Sequence, residues 1–177
     1  MCRFVGAWLG FLAWLSGAAV AGPVPSKDWF YVTEGEQFHF AATVNAAQHI
    51  LGQYCYLKSG ECMYLVGLGI TCEEGHEVPA LINSNAGAVQ VQLVCTGKVQ
   101  GQNVLAIKPF SRIDKVVREA VYLRIAVPMK NGAFKVSRFS LAGSTYAIEQ
   151  MRAAVRRHMK HKPPARPASP KQDVEYL

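Results

Sequence analysis

The sequence predicts an α+β fold: an antiparallel β-rich domain with a short helix, a C-terminal helix and two disulfides. Three observations predict it. Short apolar runs alternate with polar residues and are separated by Gly, Asn and Ser; one long stretch near the C-terminus keeps helical spacing; and four cysteines follow the N-terminal apolar run.

The N-terminus comes first. Arg3 precedes the apolar run Phe4 to Leu15, and small residues end at Ala19-Val20-Ala21. This three-part pattern reads as a signal peptide over 1–21, with cleavage before Gly22. The run is too short to span a bilayer, which takes about 20 apolar residues, so no transmembrane segment is expected in the mature chain. Removing 1–21 takes Arg3 and no acid from a chain of 19 basic and 12 acidic residues, leaving a formal +6. Residues 22–160 are read as one disulfide-bonded domain, periplasmic or secreted.

Phe38 and Phe40 alternate with Gln37 and His39; Val89, Val91, Leu93 and Cys95 alternate with Gln90 and Gln92; Val121, Leu123, Ile125 and Val127 repeat the pattern. Each reads as a strand with one buried face. Tyr54-Cys55-Tyr56 and Cys62-Met63-Tyr64 flank a segment whose Ser59-Gly60 supplies turn chemistry. A hairpin closing there sets Cys55 opposite Cys62, close enough for a disulfide. Cys72 then bridges Cys95 by elimination. A zinc site is the competing use of four cysteines, but the spacing holds no C-x-x-C knuckle.

Two helices follow. Ser111 and Asp114 resemble a capping box ahead of the apolar positions Ile113, Val116, Val117 and Ala120. From Ser144 or Thr145 onward, Ile148, Met151, Val155 and Met159 keep helical spacing, while Arg152, Arg156, Arg157 and Lys160 form a basic face near the helix C-terminus. Residues 161–177 read as a disordered basic Pro-rich tail carrying Lys162 and Arg166. The order of elements argues for an antiparallel sheet with both helices on one side.

No catalytic set, cofactor or metal site is assigned. His39 reads as a solvated or edge-strand histidine, and His76, within Glu73-Glu74-Gly75-His76-Glu77, as part of a hydrated acidic loop. Tyr54, Tyr56 and Tyr64 suit a hairpin surface as well as a stacking platform, and no nucleic-acid partner is expected. The basic residues Arg152, Arg156, Arg157, Lys160, Lys162 and Arg166 suit an anionic envelope surface, with a protein partner as the other expectation.

Arg138-Phe139-Ser140-Leu141-Ala142-Gly143-Ser144-Thr145-Tyr146-Ala147-Ile148 runs a last strand through a glycine into a helix. This segment resembles the end of the invasion-associated locus B family of bacterial periplasmic proteins, where a similar strand, glycine and Ala-rich helix close a small β-rich domain. The resemblance covers about a dozen positions. It implies a non-enzymatic periplasmic or surface protein of bacterial origin. The leading expectation is an exported envelope protein acting by binding or as an envelope-assembly component. The rivals are a secreted hydrolase, which needs convergent Glu, His or Ser side chains in one cleft, and a proteinaceous inhibitor of a hydrolase.

Overall fold

The computed structural model describes residues 22–99 and 101–161. Within them the chain runs β1 (Val24–Ser26), β2 (Trp29–Val32), β3 (Phe38–Val44), β4 (Ile50–Tyr56), β5 (Cys62–Gly67), β6 (Glu77–Ser84), β7 (Gly87–Val99), β8 (Gln102–Lys108), α1 (Phe110–Glu119), β9 (Tyr122–Pro128), β10 (Phe134–Ser140) and α2 (Ser144–His161). The expected signal peptide lies outside the described residues, as do Lys162 and Arg166. His161, assigned to the tail from its sequence, closes α2 instead.

Ten strands form one antiparallel sheet in the order β1-β2-β3-β4-β5-β8-β7-β6-β9-β10, with both helices packed on one face. Alternation puts Val91, Leu93 and Cys95 of β7 and Leu123, Ile125 and Val127 of β9 on that inner face; Val121, expected with them, precedes β9 and is exposed. There they meet Ile113, Val116 and Val117 of α1 and Ile148, Met151 and Val155 of α2. Both disulfides are present. Cys55 pairs with Cys62 in register across β4 and β5, and Cys72–Cys95 ties the loop before β6 to β7. No helix among the described residues is long and apolar enough to cross a membrane.

The sheet curls until β10 approaches β3, and side chains tie the seam. Trp29 Nε1 donates to Ser140 O at 2.9 Å, Asn45 Nδ2 to Arg138 O at 3.1 Å, and Ser137 Oγ lies 2.7 Å from His49 Nδ1. Gly143 lets the chain turn from β10 into α2 against β1. Its φ is +88°, and its carbonyl accepts from Ser26 Oγ at 3.0 Å.

Two local expectations are corrected. In β3 the buried face is the one carrying His39, Ala41 and Thr43, because α2 lies across it and small side chains let a helix approach. Phe38 and Phe40 face the helix-free side, where Phe40 stacks on Tyr54 at 5.1 Å. His39 is therefore a core residue. The second correction concerns α1. Its N-cap is Pro109 with no side-chain cap bond, so Ser111 and Asp114 form no capping box. Asp114 is instead buried against other elements.

Candidate functional site

Asp114 is the hub of a polar network beneath the helices. Its carboxylate accepts from Tyr64 OH at 3.0 Å, from Arg152 Nη2 at 2.6 Å, and from Arg118 Nη2 one turn along α1. Arg152 Nε donates to Gln53 Oε1 at 2.6 Å, and its guanidinium lies over the Phe110 ring. Burial pushes the Asp114 carboxyl up, but hydrogen bonds from Arg118 and Arg152 outweigh it and hold the carboxyl below its ordinary range. Burial also raises the Tyr64 hydroxyl, so Tyr64 stays a neutral donor. The network joins β4, β5, α1 and α2.

This placement divides the predicted basic face. Arg152 points inward and its charge is neutralised by Asp114, so it is withdrawn from any surface role. Arg156, Arg157 and Lys160 are exposed on the last turns of α2, together with His158 and His161. Among the described residues no carboxylate lies within 4.0 Å of these three cations. Met159, partly buried against the core, lies beside Gly60 of the β4–β5 turn. Beneath the basic end sits His39, whose pKa is lowered by burial and then by His158 and Arg157; its Nδ1 has no partner among the described residues.

The expected hairpin tyrosines separate. Tyr64 is on the inner face and fully buried. Tyr54 lies on the helix-free face among Phe38, Phe40 and Met63, and burial there lifts its hydroxyl to about 12. Tyr56 is partly exposed beside Phe38.

Two clefts flank the seam. The first, about 730 Å³, is lined by Asp28, Asn45, His49, Tyr122, Ser137 and Arg138 among others. Ser137 and His49 have the spacing of a nucleophile and base, and His49 Nε2 lies near Gly69, as does Lys135 Nζ. In a Ser-His-Asp triad a carboxylate accepts from the second imidazole nitrogen, orients the ring and stabilises its cation. Burial and then Lys135 instead lower the His49 pKa, which suits a hydrogen bond that closes the seam.

The second cleft, about 550 Å³, opens at the end of the strands away from the β4–β5 turn; Ile70, Val78, Val127 and Met129 supply apolar lining, and Lys130, Lys135 and His76 polar groups. His76 is exposed. Among the described residues no hydrogen bond or ion pair joins its side chain to Glu73, Glu74 or Glu77, the contact that a hydrolase would use.

The described fold has a counterpart among solved structures. The fold resembles that of invasion associated protein B. The crystal structure of that protein from Bartonella henselae matches with a TM-score of 0.52 over 75% of this chain and 97% of the other, at 12% identity. At that identity the Bartonella protein shows a shared fold alone and assigns no residue here a role. No family model matches the sequence, and no curated protein does.

Sequence reasoning missed the Asp114–Arg152 pair and the cleft holding Lys135. The first had one signal: an acid and a base each lying on the apolar stripe of its helix. The second had none, since its lining comes from two segments far apart in the chain, the β5–β6 loop with the start of β6 and the β9–β10 hairpin.

Proposed function

We propose that the protein is an exported bacterial envelope protein that acts by binding, setting the basic end of α2 against an anionic envelope surface. The observation that carries the reading is the exposed set Arg156, Arg157 and Lys160, unpaired among the described residues and followed in sequence by Lys162, Arg166 and Lys171. Two disulfides support export, because such bonds persist in oxidising compartments. The shared fold with the Bartonella protein fits the same setting.

The test is co-sedimentation with vesicles of equal parts phosphatidylglycerol and phosphatidylcholine. Truncation within α2 is unsuitable, since Val155 is buried and Met159 packs against the core. Charge reversal of Arg156→Glu, Arg157→Glu and Lys160→Glu leaves the inner face intact. Each basic residue contributes roughly 1 kcal/mol near an anionic bilayer, so the triple variant is expected to bind at least roughly a hundredfold more weakly. Binding of the parent should also fall steeply with salt, over a Debye length of about 8 Å at physiological strength. Equal binding by the two proteins, or equal binding to phosphatidylcholine alone, refutes the reading.

A further inference from the structure

The mouth of the curled sheet holds a cation that has no counter-ion among the described residues. Lys135 occupies an inner-face position of β10, in register with Val127 of β9, and the next inner positions along its strand, Ser137 and Phe139, are buried in the core. An inner position at a sheet's open end ordinarily takes an apolar side chain. Lys135 Nζ donates to Gly69 O at 3.1 Å, and among the described residues no carboxylate lies within 4.0 Å of it. His49 Nε2 and Lys135 Nζ both lie beside Gly69, and burial and then Lys135 lower the His49 pKa. Below the ammonium lie Ile70, Val78, Val127 and Met129, and Lys130 stands at the rim. The exposed glutamates nearby, Glu73 and Glu74 of the loop and Glu77 at the start of β6, form no part of the cleft lining.

We propose that this cleft binds a small amphipathic carboxylate, its apolar body against Ile70, Val78 and Met129 and its anionic head on Lys135, with Lys130 assisting. Apolar walls with a few convergent polar groups at the mouth of a curled sheet are the usual form of a small-ligand site, and about 550 Å³ accommodates a chain of medium length. A carboxylate supplies the acceptor that the Gly69 carbonyl alone does not, and a charge-assisted hydrogen bond on an apolar floor is stronger than a neutral one. The site shares no residue with the basic end of α2, and its occupancy is independent of the surface binding proposed above.

The probe is decanoate, with decanol as the uncharged molecule of equal chain length, titrated by calorimetry into the oxidised protein. Decanoate is expected to bind at least about tenfold more tightly than decanol. Lys135→Met should abolish that preference while leaving decanol binding unchanged, and Lys135→Arg should keep it. Amide shift mapping with decanoate should confine the response to residues 69–78 and 127–135. The proposal is overturned if decanol binds as well as decanoate, if Lys135→Arg loses as much as Lys135→Met, or if the shifts fall on the helix-free face.

Discussion

The Asp114→Ala protein is expected to unfold in urea with a free energy about 3–5 kcal/mol below that of the parent, since deleting one partner strands a buried charge. Arg152 is only 22% exposed, and without Asp114 its guanidinium keeps Gln53 Oε1 alone. Arg118→Ala is the control. Its side chain is 55% exposed, and its i,i+4 bridge to Asp114 should contribute less than about 1 kcal/mol. The pH dependence follows from the same carboxylate. Its folded pKa is depressed below the ordinary 3.8, so its stabilisation is complete above the unfolded value and is lost as pH falls through the folded one. The parent should therefore lose stability more steeply than Asp114→Ala below about pH 4, and the two denaturation curves should converge there. Parallel curves would show that the network does not hold the helices.

Gly143→Ala is expected to be the most damaging single-methyl change, at on the order of 2–4 kcal/mol. Two costs add. The backbone has φ +88°, which L side chains rarely adopt, and an added Cβ would lie 1.9 Å from Ser26 O. The obstacle is backbone, so β1 must move, and its loss should show as fast hydrogen exchange in Val24–Ser26. Gly132→Ala separates the two costs. Its φ is +80° but the space around it is open, so it should lose only about 1 kcal/mol. Equal losses at the two sites would mean that β1 is not pinned through Gly143.

The residues that were legible in advance are those governed by local rules. Cys55 and Cys62 face each other because a turn at Ser59-Gly60 fixes the hairpin register, and Ile148, Met151 and Val155 are buried because helical spacing puts them on one stripe. What escaped was decided by tertiary packing. Both faces of β3 carry apolar side chains, and nothing in its alternation says which face α2 will cover; the helix takes the side of Ala41, leaving Phe38 and Phe40 to pack with Tyr54 on the other. Arg152 lies among the basic residues of α2 in sequence, yet Asp114, 38 positions earlier, draws it inward. Only the curl of the sheet brings Lys135 to the loop at Gly69. Of the predicted surface cations among the described residues, Arg156, Arg157 and Lys160 keep that place.

Export and the two disulfides are tested together by the intact mass, without reduction, of the protein recovered from the periplasmic fraction of a bacterium expressing all 177 residues. The expected species is a chain beginning at Gly22 whose mass is four hydrogen atoms short of the fully reduced form, two for each of Cys55–Cys62 and Cys72–Cys95. A species that retains Met1 and carries the full thiol mass, found only in the cytoplasmic fraction, would contradict it.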